Sequence, residues 1–223
     1  MMTKEIKIEK KASDVVQPVS EEEARSAIRG KKDLSGASLR GMKLDNLNAV
    51  GAILRKTDLA ASDLSHGLLI NPNFYRASLH GAAVHNTLVI GGDLVKTSFK
   101  EANLGDSLLL GVDAQNASFE GASLRDAALV SADLENADFT KANLSNARLA
   151  SLNVTGADFT DADMTGARAY HVDWTVAKVP PTFLPEPLVQ IPRWAWSVLI
   201  GGFLGTIGVL IYGLTRKKRK TSS

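Results

Sequence analysis

"ADLENADFTKANLSNARLASLNVTGADFTDADM", residues 132–164, decides the fold. Every fifth residue is large and apolar: Leu134, Phe139, Leu144, Leu149, Val154, Phe159 and Met164. Two places before each of them stands Ala, except at Leu152. The register runs back to Leu34 and on to Trp174, 29 central positions without an insertion; sixteen are Leu and five are Phe. Two places before the centre, 22 of 29 residues are Ala, Gly, Ser or Thr.

Five is not a helical period, and it is odd. In a flat strand, residues five apart point to opposite faces. To keep every central residue inside, the chain must bend once per repeat. Phe99, Phe119, Phe139 and Phe159 recur every twenty residues, and so do three aliphatic triplets, at 68–70, 88–90 and 108–110. Four pentapeptides therefore make one circuit of a four-sided coil. About seven coils stacked ~4.8 Å apart give a rod of roughly 34 Å. The small residue two places before each centre suits a crowded interior.

This run resembles the pentapeptide-repeat family, whose consensus is A(D/N)LXX. "ANL" at 102–104 and 142–144, "ADL" at 132–134, and "ADF" at 137–139 and 157–159 match it. The resemblance covers about two thirds of the chain. It implies an all-β solenoid, the family's right-handed quadrilateral β-helix, with the central residue and the one two before it pointing inward. Near the start, Met42 and Leu47 are large for inner positions and predict distorted first coils.

A solenoid exposes its core at both ends unless capped. "SEEEARSAIRG", 20–30, reads as an N-terminal capping helix. Ser20 and Glu23 form a capping-box pattern, Gly30 is a stop, and Ala24, Ala27 and Ile28 supply one apolar face. Residues 1–19 read as disordered. After the repeats, 31–175, a proline-rich linker is expected over 176–193. Then "WAWSVLIGGFLGTIGVLIYGL", 194–214, carries no charge in 21 residues. At 1.5 Å per residue it is ~31 Å long, the thickness of a bilayer core, with Trp194, Trp196 and Tyr212 near its ends. The sequence predicts one transmembrane helix there. Ser197, Gly201, Gly205 and Gly208 form a small-residue ridge for helix packing in the membrane. In the tail, 215–223, Arg216, Lys217, Lys218, Arg219 and Lys220 would hold anionic lipid head groups, at ~1 kcal/mol per charge near the surface. The basic tail argues for a cytoplasmic C-terminus, yet no signal peptide precedes the repeats. The reading adopted is a single-pass tail anchor with the repeat domain on the cytoplasmic side.

Formal net charge is only +2, and no cysteine is present, which excludes disulfides, thiol catalysis and cysteine-ligated metals. His66, His80, His85 and His171 fall at outward positions without metal or triad spacing. No phosphate loop or nucleotide fingerprint appears. Asn73, Asp93, Asp113, Asp133, Asn153 and Asp173 form one predicted column. They read as Asx residues bonding nearby backbone at the corners rather than as a cation stripe. No catalytic residue, cofactor, metal, nucleic acid or small-molecule substrate is expected.

The candidate site is an aliphatic stripe. Outward positions beside the triplet centres hold Leu68, Ile70, Leu88, Ile90, Leu108, Leu110 and Val130, on one side of the coil; Arg148 and Arg168 replace it later. A contiguous exposed apolar area usually marks an interface, although such residues also stack on one another. The expected function is a membrane-anchored, non-enzymatic scaffold or interaction module. Its stripe would bind a protein partner, within a membrane complex, or a second copy. One alternative, implied by quinolone-resistance members of the family, is a topoisomerase-binding DNA mimic; residues 33–174 carry 17 Asp/Glu against 11 Lys/Arg, a weak charge for that role. The other is a rod lying on the bilayer.

Overall fold

The computed structural model describes Pro18 and residues 20–187. The expected transmembrane segment and basic tail lie outside the described residues, so Ser197, Gly201, Gly205, Gly208 and the cluster Arg216, Lys217, Lys218, Arg219 and Lys220 receive no structural account. Among the described residues no helix is long and apolar enough to cross a membrane.

The repeats fold as a parallel β-solenoid with four sides. One side carries seven three-residue strands: β1 Asn48–Val50, β2 Leu68–Ile70, β3 Leu88–Ile90, β4 Leu108–Leu110, β5 Ala128–Val130, β6 Arg148–Ala150 and β7 Arg168–Tyr170. Each pairs in parallel with the strand twenty residues on. The other three sides pair through single bridges in the same register, such as Asp33↔Ile53, Ser38↔Asp58 and Lys43↔Asp63. We number the sides by their first centres: Leu34, Leu39, Leu44 and, for the stranded side, Ala49.

The bend that an odd repeat demands is made two residues after each centre. There φ is positive at every repeat, from Lys31 to His171. Glycine fills nine of these sites; elsewhere Lys56, Ala61, Arg76 and Glu101 take the same left-handed backbone. This conformation is unfavourable for most side chains, and closure of the coil overrides the preference. On the first two sides most corners are closed by a hydrogen bond from the N–H three residues on to the central carbonyl, as from Ala137 to Leu134 at 2.9 Å. After the fourth side that bond is never made. Pro72, which has no N–H, sits at one of these open corners.

Inside, the centres form ladders. Phe99, Phe119, Phe139 and Phe159 stack with ring centroids 5.0, 4.7 and 4.9 Å apart, which is the spacing of the coils themselves. Trp174 closes that stack edge-on, 5.4 Å from Phe159. Buried hydroxyls are satisfied within the core. Thr57, Thr87 and Thr97 donate to the carbonyls of Leu34, Leu64 and Phe74 in the coil before, and Ser62 and Ser107 to Leu59 and Leu104 in their own coil. Such a bond removes the cost of burying the polar group.

Helix α1, Glu21–Arg29, covers the first coil. The Ser20 side chain accepts from the Glu23 N–H, and Ala24, Ala27 and Ile28 are buried, as the sequence predicts. Gly30 ends the helix with φ −76°, not in the left-handed region; a side chain there would meet the Ser26 carbonyl at 3.1 Å, and the left-handed turn falls on Lys31. A polar clamp not anticipated from the sequence fastens the cap. Arg25 donates to the carbonyls of Lys43 and Asp45 and pairs with the Asp45 carboxylate at 2.9 Å, while Glu21 accepts from the Lys43 N–H. The first coils are regular, contrary to the distortion expected from Met42 and Leu47. Their bridges keep the twenty-residue register, and Leu47 is buried. At the end of the rod no earlier coil crowds these positions, so larger residues fit.

The described part of the proline-rich segment, 176–187, runs around the last coil instead of leading straight away. Val176 accepts from Gly156 on the first side, and Val179 pairs with Asp158 on the second. Strand β8, Glu186–Pro187, adds to β7 on the fourth side. Over the third side the chain bows outward, and residues 182–185 make no backbone hydrogen bond to 162–166.

Candidate functional site

The stripe forms the outer face of the sheet β1–β7. Strand pairing places Leu68 beside Leu88 and Leu108, and Ile70 beside Ile90 and Leu110. Each of these six, and Val130, is half-buried by its neighbours above and below. Cross-strand stacking therefore accounts for part of their burial, at ~0.2–1 kcal/mol per pair. Val50, the first rung, is 49% exposed. The column through Leu68 shortens to Ala128 and then turns charged at Arg148 and Arg168. The structure thus brings all seven sequence-predicted residues onto one face.

The other sides are polar for a reason that the Asx expectation captured. At fourteen repeats an Asp or Asn just before the centre accepts from the N–H two residues on, including all six of the column Asn73 to Asp173. These bonds lower the carboxyl pKa where a threonine adds its hydroxyl. Bonds from Thr160, with Lys178 alongside at 3.0 Å, hold Asp158 down at about 2. Bonds from Thr165 and Thr175 hold Asp163 and Asp173 below the usual carboxylate range. Among the described residues no group of three or more His, Asp or Glu is placed to hold a metal ion. His66 and His85 meet edge-to-face at 5.2 Å, His80 bonds the Lys100 carbonyl, and His171 stacks on Tyr170.

Sequence reasoning missed a groove. Where the chain bows away from the third side, a cavity of about 500 Å³ opens between residues 161–167 and 182–186. In the preceding coil, Leu144 and Asn146 donate to the Asp163 and Thr165 carbonyls, and the Ala142 carbonyl accepts from Asp163. Among the described residues, their counterparts Met164 N–H, Gly166 N–H and Ala162 C=O have no backbone partner. Phe183 and Leu184, on the bowed segment, are 80% and 63% exposed. The only sequence signal was the pair Pro180–Pro181, arriving at the corner where the chain would turn onto the third side.

Fold and surface together define a capped parallel β-solenoid with one apolar outer side. A model of the pentapeptide repeat region matches residues 82–159, and one of pentapeptide repeats in eight copies matches 33–69, together more than half of the chain. The chain belongs to the pentapeptide-repeat family. Among solved structures it is similar to a form of QnrB1, a plasmid-mediated fluoroquinolone resistance protein, at 21% identity over 76% of this chain and 94% of that one, with a TM-score of 0.42. It is also similar to a pentapeptide repeat protein of the Arabidopsis thaliana thylakoid lumen, at 28% identity over 63% and 72%, with a TM-score of 0.29. A third is HetL of the cyanobacterium Nostoc, involved in heterocyst differentiation regulation, at 23% identity over 69% and 90%, with a TM-score of 0.24. No curated protein matches the chain.

Proposed function

We propose that this protein is a membrane-tethered, non-enzymatic interaction module that binds a protein partner through the aliphatic side of its solenoid. The observation that carries this reading is the one-sidedness of the stripe. Stacking between coils stabilises any outward aliphatic ladder, yet on the other three sides the residue before the centre is mostly Asp, Asn or Ser, with apolar residues only singly, as at Ile53 and Ala83. Leu68, Ile70, Leu88, Ile90, Leu108, Leu110 and Val130 sit on a sheet too short-sided to hide them, and Val50 extends the face. A partner that excludes water from this strip gains about 25 cal/mol per Å² of apolar area.

The test is full-length protein in detergent, with Leu88, Ile90, Leu108 and Leu110 replaced by Thr. The variant is expected to keep its fold and lose its captured partner and assembly state. Unchanged assembly and unchanged capture would remove the stripe from the mechanism. The tether rests on the chargeless segment 194–214 and the basic run 216–220. We place the repeat domain on the cytoplasmic side. Protease added to sealed vesicles is then expected to digest the rod without lysis; digestion only after lysis reverses the topology.

A further inference from the structure

We infer that the groove on the third side of the last coil takes an extended peptide strand, and that its occupant is the N-terminal segment "EIKIE", residues 5–9, of a second copy. Three observations converge. The first is the open edge. The last coil is covered on its first, second and fourth sides by residues 174–176, 178–179 and 186, but over the third side the chain stands off and leaves two N–H groups and one C=O facing the groove. Backbone groups in that arrangement template an added strand.

The second observation is pattern. Every side of the solenoid is built with inward residues at the centre and two before it, and with an outward residue between them. "EIKIE" has Ile8 and Ile6 in those two places and Lys7 between. Met164, 5% exposed, would lie under Ile8 and the half-buried Ala162 under Ile6. Ile is larger than the usual inner residue, but among the described residues this end of the rod has no further coil, and the opposite end already holds Met42 and Leu47 in equivalent places.

The third is charge. Among the described residues the groove is lined by Asp161, Asp163 and Glu186 and by no Lys or Arg. The register that puts Ile8 over Met164 puts Lys7 beside Asp163, as Asn143 lies beside Asp163 from below. Glu5 then falls over Asp161, an unfavourable but exposed pairing that solvent screens. Lys4, Lys10 and Lys11 flank the segment.

A chain's own groove is out of comfortable reach. Ten residues from Ile8 to Pro18 span at most about 36 Å if perfectly straight. Seven coil spacings of ~4.8 Å plus the thickness of the capping helix separate the two ends. The contact is therefore head-to-tail, and it is heterologous, so repeated use builds open chains of rods.

The experiment uses dye-labelled peptide 1–17 titrated into dilute full-length protein in detergent. Binding is expected, and Asp163→Lys should weaken it at least about tenfold, the scale of a lost in-register ion pair plus a disturbed strand edge. A Lys7→Glu peptide should bind the parent protein poorly and regain affinity on Asp163→Lys, a rescue that simple damage to the last coil cannot give. Protein with Leu88, Ile90, Leu108 and Leu110 changed to Thr should bind the peptide as the parent does, which separates this contact from the stripe. Full-length protein carrying Lys7→Glu should sediment with weaker concentration-dependent association. No peptide binding, equal binding in all four charge combinations, or association indifferent to Lys7→Glu each overturns the inference.

Discussion

The fourth side of the solenoid and the second side face each other across the same core, yet they are built differently. On the fourth, aliphatic residues flank the centres from Leu68 to Val130, three residues pair as a strand, and the following corner is open. On the second, the residue before the centre is Ser or Asp, one residue bridges, and most of the corners are closed by a hydrogen bond. An Asp or Asn that captures the N–H two residues on diverts that donor from the sheet. That diversion is not the whole cause, since Asn48 stands in β1 and Ile53 and Ala83 sit at single bridges. The open corner is the feature that every rung of the stranded side shares. An open corner does not by itself make a strand, since the corners after Leu44, Leu64 and Val84 on the third side lack that bond too, beside single bridges.

The contrast can be broken from inside. Phe119 is stacked on both faces and fully buried, on the side opposite the sheet. Phe119→Ala should cost about 3–5 kcal/mol, read as a fall in the urea midpoint; a loss below about 1 kcal/mol would mean that the stack is not a unit. Next comes the corner itself. Ala137→Pro removes an N–H that closes a corner at 2.9 Å and should cost about 3 kcal/mol. Ala132→Pro, at an open corner of the kind Pro72 already occupies, should cost under about 1 kcal/mol by the same principle of an unused donor. Equal effects of the two prolines would discard the distinction between corners.

The smallest effect concerns acid. Asp158 titrates at about 2 in the folded chain, against ~3.9 for an unfolded aspartate. As pH falls, the unfolded state takes up the proton first, so the stability this group contributes is present above about pH 4 and is lost between about 4 and 2. Asp158→Asn keeps an oxygen to accept from the Thr160 N–H but cannot titrate. Its loss of stability over that window should be shallower than the parent's in an acid melt; an identical slope would place the pH dependence elsewhere.

Much of this was legible. The five-residue period gave the inward ladders, the twenty-residue recurrence of Phe99 to Phe159 and of the triplets gave the four-sided coil, and the triplets marked the one side that is a true sheet. Ser20, Ala24, Ala27 and Ile28 announced the cap. What stayed hidden depends on closure. Lys56, Ala61 and Arg76 carry no mark of a left-handed backbone, because the geometry is imposed by the coils above and below. Arg25 reaches a carbonyl twenty residues on, which no local pattern records. The groove arises from a segment failing to pair, and only the two prolines hint at it.

The end of the repeat also counts. Every bridge through Asp163 joins residues twenty apart, but Val179 meets Asp158 at a separation of twenty-one. One extra residue around Trp174–Val176 throws the chain out of step with the columns beneath it. The rod thus carries its own full stop. Its length is written at residue 174, and a duplicated coil inserted earlier would lengthen it while one appended later would not.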